Sequence, residues 1–270
     1  MILKVALAVY LLSTIFCLVY FVSPRKSLAT AYLASAVAGF LIHTWVLIES
    51  YLQAGHIPVT NLKEGLSFFS WTIILIFLII EYRYKILILG SFIIPPAFIA
   101  LLYPALAGDR ITALAPLLQS SWLGVHVTLA FLGDASFALA TALSVMYILQ
   151  ERQLKSHKFG ATFRKLPSLE VLDLINHRIM TIGFLLLTLG IITGALWARA
   201  ALGSYIQGDP REIWSLITWV IYAGLVHSRL TIGWRGRKSA ILTIVGFCVL
   251  IFAFLAINTF IPSYHYPGRF

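Results

Sequence analysis

Long apolar runs separated by short polar stretches make up almost the whole chain. A helix needs about 20 predominantly apolar residues to cross the hydrocarbon core of a bilayer. By that measure the pattern predicts about eight transmembrane helices, at 3–22, 28–52, 67–84, 86–106, 121–149, 178–201, 212–228 and 239–261. The fold class expected is therefore all-α, a polytopic membrane helical bundle. Since no repeat with a period of about 20 to 50 residues interrupts the series, we expect one domain over residues 1–270.

The positive charges predict the orientation of these helices. If the loops alternate between two sides, 14 of the 20 Lys and Arg residues fall on one side and 6 on the other. Cytoplasmic loops carry the excess of Lys and Arg, which predicts that both termini are exoplasmic, together with the loops 53–66, 107–120 and 202–211. For the longest cytoplasmic stretch, 150–177, we expect a short amphipathic helix or an ordered linker.

Composition supports the membrane assignment and narrows the function classes. The chain is 60% hydrophobic and only 11% charged, which a soluble protein of 270 residues could not bury. The net charge of +10 is therefore ascribed to cytoplasmic loops, and no nucleic-acid partner is predicted. Cys17 and Cys248 lie far apart in apolar runs and form no CxxC pair, so neither a dithiol nor a zinc site is indicated.

Histidine is the only plausible metal ligand that occurs in quantity. His126 near the outer end of the fifth span and His265 just beyond the eighth share a level, and such a pair suits a haem iron with two axial ligands. His227 ends the seventh span, 17 residues after Pro210, or about 25 Å of helix. It therefore cannot share a metal with the outer pair. The alternative for each histidine is an amphipathic side chain with its ring among the lipid headgroups.

Three further polar residues lie within or close to the spans. His43 and Asp134 are intramembrane and Glu49 is nearly so, and such residues are functional candidates by default. Asp134 suits either a proton path or a polar contact between spans. These residues support an alternative function, a small-solute transporter. Inverted repeats or paired broken helices would favour that alternative, and the sequence contains neither.

The loop before the seventh span combines a helix-start pattern with aromatic residues. Asp209 before Pro210, with Glu212 just after, is typical of a capped helix N-terminus. Aromatic residues that suit a flat apolar ligand gather at the same outer level; they are Trp122, Trp197, Tyr205, Trp214, Tyr264 and Tyr266. An ordinary interfacial belt of Trp and Tyr is the alternative interpretation.

The same stretch carries a resemblance to a known family. The sequence LGSYIQGDPREIWSLITWVIYAGLVHSR at 202–229 resembles the WGxxWxWDPxE motif, and the helix with TW and H-[ST]-R after it, of the cytochrome c assembly superfamily. This superfamily of haem-handling membrane proteins includes CcsA, CcmC and the HemX-like proteins. The matching residues are Gly203, Asp209, Pro210, Glu212, Trp214, Thr218, Trp219, Tyr222, His227 and Arg229.

Other segments resemble the family in the same order, from about Gly55 to the end. GALWARAALGSY matches at Trp197, and GHIPVTNLKEGLSFFSW resembles the family's H-x-P-x-[ST]-N-x-x-E-[SG]-L stretch. WLGVHVTLAF is similar to WLxxHV, which places His126 on the family's first outer haem histidine. INTFIPSYHYPG is similar to the segment with GLHSYG, which places His265 on the second.

The resemblance implies a function, a cofactor and a set of partners. The function is haem binding and haem delivery across the membrane in cytochrome c biogenesis of the system II type, with a transient, non-covalent b-type haem. The partners are a second biogenesis membrane subunit, apocytochrome c and membrane lipid, in a bacterial inner membrane or its plastid equivalent. Because the chain offers no nucleophile or acid–base dyad of its own, it is at most a subunit of a haem-lyase complex.

The resemblance also implies roles for individual residues. His126 and His265 are the axial ligands of an outer haem, and His227 is a possible inner ligand. The other cofactor-binding candidates lie around the outer loop and helix; they are Trp197, Tyr205, Asp209, Trp214 and Trp219.

At three tryptophan positions of the motif this chain departs from the family. It has Leu202, Ile206 and Gly208 there, so the aromatic platform is largely absent while the acidic-proline core is kept. The departure suits the HemX-like branch. The alternative function is therefore an accessory or regulatory membrane protein of haem synthesis that does not ligate haem.

Overall fold

A computed structural model of the chain describes residues 1–107, 121–157 and 165–260. Over these ranges the chain forms eight helices long and apolar enough to cross a membrane. They are α1 (Ile2–Val22), α2 (Lys26–Ala54), α3 (Leu62–Tyr84), α4 (Gly90–Leu106), α5 (Ser121–Lys155), α6 (Leu169–Leu202), α7 (Pro210–Thr231) and α8 (Arg237–Phe260), with a 3₁₀ turn at Leu87–Leu89 before α4. The all-α, multi-pass membrane fold is confirmed. The exoplasmic orientation of the termini stays a prediction.

Helix α3 begins five residues before the predicted span because its start is polar. Asn61 caps the helix, since its side-chain oxygen accepts the backbone N–H of Glu64 at 2.9 Å. The Glu64 carboxylate in turn accepts the backbone N–H of Thr60 at 2.8 Å. This arrangement is a variant of the capping box, in which the N3 carboxylate binds the N–H of the residue before the cap. A count of apolar residues alone misses it.

The stretch 150–177 shows a second difference from the prediction. Residues 150–155 continue α5, and residues 169–177 form the first turns of α6, which Ser168 caps. The alternative of a separate amphipathic helix is therefore wrong for the described part of this stretch; residues 158–164 lie outside it. Glu, Gln, Lys and Leu favour helix, so both membrane helices continue beyond the apolar span.

The first four helices form one of two compact units, Met1–Leu114. In this N-terminal unit α1 packs against α2 and α4, and α3 packs against α4 and α2. Gly39 on α2 lets the Tyr10 ring of α1 pack against the α2 backbone, because a Cβ atom on Gly39 would lie 2.6 Å from that ring. The aromatic ring takes the space that a side chain would occupy.

The last four helices form the second unit, Ala115–Phe270. In this C-terminal unit α5 packs against α6 and α8, and α7 packs against α8 and α6. Glycines bring α5 and α6 together: a Cβ atom on Gly133 would lie 3.1 Å from the Gly183 carbonyl oxygen, and one on Gly190 would lie 3.3 Å from the Ala130 nitrogen. Small residues permit this backbone contact in membrane helices. The expectation of a single domain stays a prediction beside these two units.

We expect Gly133→Leu to destabilise the C-terminal unit, because its side chain would meet the backbone of α6. Overpacking of this kind costs about 1–3 kcal/mol. The matched control is Gly224→Leu, since Gly224 has open space in front of its Cα. Thermal unfolding in detergent tests the pair. Equal midpoints for the two variants would contradict the close approach of α5 and α6.

Candidate functional site

His126 lies near the start of α5 and is held by the backbone of α6. Its Nδ1 atom is 2.7 Å from the carbonyl oxygen of Gly190. Because a carbonyl only accepts, the proton of the neutral ring is on Nδ1 and the lone pair is on Nε2. Metal-ligating histidines are commonly held in this way, with the second ring nitrogen donating to a carbonyl or carboxylate. The geometry therefore fits a histidine that ligates iron through Nε2.

Gly194, one turn after Gly190 on α6, makes room for the His126 ring. A Cβ atom on Gly194 would lie 2.6 Å from Nδ1 and 2.7 Å from Cε1 of that ring. Only glycine accommodates the imidazole in this orientation. The sequence analysis missed both residues, although the spacing Gly190-x-x-x-Gly194 is a recognised sign of close helix packing.

The α6–α7 loop begins after Leu202, the last residue of α6. Leu202 lies about 12 Å along the helix axis from Gly194, at a rise of 1.5 Å per residue. Trp197 is buried on this last part of α6. Gly203 ends the helix with a φ of 83°. The Arg199 guanidinium donates to the Gly203 carbonyl and lies 5.6 Å above the exposed Tyr205 ring. The arginine thus fixes the first part of the loop and orients its aromatic residue.

Two carboxylates hold the second part of the loop. Asp209 is buried and accepts the backbone N–H of Arg211 at 2.8 Å. Glu212 accepts the backbone N–H groups of Gln207 at 2.9 Å and Gly208 at 3.0 Å. The helix-start interpretation of these two acids is confirmed. Both side chains shape the loop by binding backbone donors.

The two tryptophans of α7 are partly buried against neighbouring helices. Trp219 Nε1 donates to the hydroxyl of Thr188 on α6 at 2.9 Å, and its ring lies 5.5 Å from that of Phe184. Trp214 meets Phe252 of α8 edge-on at 6.4 Å. Both residues pack α7 into the unit. Their predicted part in binding a cofactor stays a prediction.

His227 lies at the opposite end of α7 and is exposed. The helix is continuous from Pro210 to Thr231, so the predicted separation of about 25 Å between the loop and His227 holds. Gly224, one turn earlier, is exposed as well and has open space in front of its Cα. His227 therefore occupies an accessible position near the C-terminal end of α7.

An ion pair fixes the inner end of α7. Both Asp173 oxygens on α6 bind the Arg229 guanidinium, at 2.9 and 2.7 Å, and Asp173 also accepts the backbone N–H of Gly236 at 3.0 Å. One carboxylate thus joins α6 to α7 and to the α7–α8 turn. The sequence analysis missed it, because Asp173 and Arg229 are 56 residues apart and no local pattern relates them.

The structure leaves part of the predicted site untested. His265 lies outside the described residues, so its pairing with His126 stays a prediction. Within the described part of the chain, no group of three or more His, Cys, Asp and Glu side chains is placed to hold a metal ion. Glu49 accepts a hydrogen bond from Gln53 one turn later, and Asp134 is half-buried on α5.

Together, the fold and these residues define an integral, multi-pass helical membrane protein with histidines at both ends of its C-terminal unit. The family model described as cytochrome C assembly protein matches residues 59–265. The chain therefore belongs to the cytochrome c assembly protein family, and its role lies in cytochrome c biogenesis.

Relatives of this family come from bacteria and plastids. The chain is 35% identical over 260 residues to the cytochrome c biogenesis protein CcsA of Synechococcus sp. (strain CC9902), covering 87% of this chain and 85% of the relative. It is 34% identical over 252 residues to CcsA of Chlamydomonas reinhardtii, covering 91% of this chain and 70% of the relative.

A solved structure shares the fold. The cytochrome c haem lyase CcmF superposes with a TM-score of 0.65 at 16% identity, over 96% of this chain and 48% of that protein. The chain thus spans about half the length of CcmF, and at this identity the likeness concerns the fold alone.

We expect Asp173→Ala to loosen the inner end of α7, because it leaves the largely buried Arg229 without its carboxylate. Removing one partner of a buried pair typically costs about 3–5 kcal/mol. Amide hydrogen exchange over residues 229–236 should accelerate strongly. The control is Lys155→Ala, which breaks an exposed pair with Glu151 worth about 0–1 kcal/mol. Unchanged exchange in Asp173→Ala would show that the ion pair does not hold this end.

Proposed function

We propose that this chain binds haem at the outer end of its C-terminal unit and delivers it for attachment to apocytochrome c. The observation that carries the proposal is the orientation of His126, whose Nδ1–H donates to the Gly190 carbonyl, as the second ring nitrogen of a metal-ligating histidine commonly does. Haem is the cargo here, held as a non-covalent b-type group. The names of the CcsA relatives, cytochrome c biogenesis proteins, support the assignment.

His126 and His265 are the proposed axial ligands of the outer haem. Tyr205 is exposed in the α6–α7 loop and suits contact with a porphyrin face. Arg199, which already holds the loop, carries the positive charge that a propionate needs. Trp197 and Asp209 are buried, and we propose that they act by keeping the loop and α6 in shape beneath the haem.

His227 is the proposed inner ligand. Its exposure on α7 suits a ligand that shares its iron with a side chain of another subunit. A second biogenesis membrane protein is therefore the proposed partner at this end. In such an assembly the acceptor thiols come from apocytochrome c, and this chain contributes binding and orientation as one subunit of a haem-lyase complex.

The degenerate tryptophan positions favour the alternative of a HemX-like accessory protein that ligates no haem. Ile206 is exposed at one of them and Gly208, with a φ of 70°, sits in a turn at another. The loop nevertheless keeps its caps and its Arg199–Tyr205 pair. The names of the relatives cited above favour the delivery function over this alternative.

The visible absorption spectrum of the detergent-purified chain tests the proposal. We expect a sharp Soret band and split visible bands in the wild type, and a loss of most of this haem absorption in His126→Ala and in His265→Ala, because each removes one axial ligand. The control is His157→Ala, since His157 lies beyond the end of α5, at the opposite end from His126.

Three outcomes separate the functions. Haem lost from both outer variants and kept in the control supports delivery. A colourless wild type, even after growth with excess haem, contradicts haem binding and leaves the HemX-like function. Haem that survives both outer substitutions but not His227→Ala would move the site to the inner end.

We also expect Gly194→Ala to impair the outer site, although no ligand is removed. The new Cβ would lie 2.6 Å from His126 Nδ1, so the ring must turn away from Gly190. A lower haem content with a shifted Soret band is the expected result, measured beside Gly224→Ala, where the added Cβ meets open space. A Gly194→Ala spectrum identical to that of the wild type would contradict this role for Gly194.

A further inference from the structure

The interior of the N-terminal unit is lined on one side by polar groups of α1. Its buried residues beyond Ala6 are Tyr10, Ser13, Thr14 and Cys17, which recur at helical spacing. Hydrocarbon offers no hydrogen-bond partners, so a membrane helix turns such residues to the inside of the bundle. Hydroxyl and thiol groups therefore form a continuous strip along α1.

His43 from α2 joins one end of this strip. It is fully buried, and its Nε2 atom lies 2.9 Å from the hydroxyl of Ser67 on α3. Its ring meets the ring of Tyr10 edge-on at a centroid distance of 6.0 Å. Three helices thus bring a titratable side chain into one buried polar cluster.

Glu81 closes the other end of the strip. It is buried three residues before the end of α3. It faces the same side of α3 as Ser67, because 14 residues are close to four helical turns. At the same end of the unit, the Tyr32 hydroxyl on α2 donates to the Leu87 carbonyl at 2.6 Å, and the Tyr32 ring lies 5.8 Å from that of Tyr20 on α1. This end of the unit also carries the turns with Arg25, Lys26 and Lys85.

Between the two ends, hydroxyl and thiol groups donate hydrogen bonds to main-chain carbonyls. Ser13 donates to the carbonyl of Tyr32 at 2.8 Å, and Cys17 donates to the carbonyl of Thr14 at 3.1 Å. From α4, Ser91 donates to the carbonyl of Cys17 at 2.7 Å. The four helices therefore contribute to a single polar column.

The column is long enough to cross most of the membrane. Ser67 and Glu81 are 14 residues apart on α3, which corresponds to about 21 Å at the helical rise. The hydrocarbon core is about 30 Å thick. The distance from each end of the column to the nearer end of α3 is short, because Ser67 is near the start of this helix and Glu81 is near its end.

Four atoms of the column have an unmet capacity for hydrogen bonds. They are Tyr10 Oη, Thr14 Oγ1, His43 Nδ1 and Glu81 Oε2, which are buried and have no hydrogen-bond partner among the described residues. Orphaned polar atoms are costly in a membrane interior, and packing alone would be served as well by apolar side chains. Each of these groups is able to accept a proton or to relay one, and buried Glu and His residues in membrane spans mark proton relays.

We propose that the N-terminal unit is a proton pathway, in which protons pass between Glu81 and His43 along the hydroxyl groups of α1 with water completing the chain. Each transfer breaks one O–H or N–H bond and forms another. One proton therefore enters at one end for every proton that leaves at the other, and the column itself is unchanged. The pathway does not depend on haem binding in the C-terminal unit.

The purified full chain, reconstituted into liposomes, tests the pathway. A potassium gradient with valinomycin sets the membrane potential, and trapped pyranine reports the internal pH. We expect the wild type to carry a proton flux above that of protein-free liposomes. Glu81→Gln should lose this flux because the amide does not carry a proton. Tyr10→Phe should lose most of it, because it removes only the hydroxyl and leaves the ring against Gly39.

Glu49→Gln is the matched control, since it makes the same chemical change on α2 in a residue that accepts a hydrogen bond only from its neighbour Gln53. It should conduct like the wild type. A wild-type flux equal to that of empty liposomes overturns the proposal, and so does a wild-type flux in both Glu81→Gln and Tyr10→Phe. Gel filtration and the circular dichroism of each variant show that a lost flux is not a lost fold.

Discussion

The close contact between α5 and α6 is the constraint on which the candidate site depends. Gly133 and Gly190 let the two backbones approach until a Cβ atom at either position would meet the backbone of the other helix, and Gly194 makes room for the His126 ring. Only at that separation does the Gly190 carbonyl come within 2.7 Å of His126 Nδ1. In a bilayer the approach gains packing and one buried hydrogen bond. It also selects the tautomer whose Nε2 is able to bind a metal.

The remainder of the C-terminal unit maintains this geometry from both ends. At the outer end, Asp209 and Glu212 bind backbone donors of the loop, and Arg199 binds the Gly203 carbonyl. At the inner end, Asp173 joins α6 to Arg229 and to the α7–α8 turn. Between the two ends of α7, Trp219 donates a hydrogen bond to Thr188 of α6. Charged residues thus fix the helix ends of this unit, and glycines bring α5 and α6 together.

The sequence predicts the eight helices well because bilayer thickness imposes one length on every span. It predicts helix ends less well, since polar residues such as Asn61 and Ser168 start helices outside the apolar run. The Asp209 and Glu212 caps were predictable because their donors are within five residues. The Gly190–His126 bond and the Asp173–Arg229 pair were not, because 64 and 56 residues separate the partners. Contacts of that kind depend on the packing of helices, which hydropathy does not encode.

The two units differ in where the polar residues proposed to have a function lie. In the C-terminal unit the residues proposed to bind haem lie towards the helix ends, and glycines pack α5 against α6. In the N-terminal unit polar residues lie inside, on the buried face of α1. His43 and His126 illustrate the contrast: the first is fully buried beside Ser67, and the second is half-buried against Gly190 of α6. The loss of tryptophans from the loop changes the surface offered to haem. It leaves the hydrogen bonds that shape the loop intact, because none of the three substituted positions supplies a side-chain donor or acceptor to them.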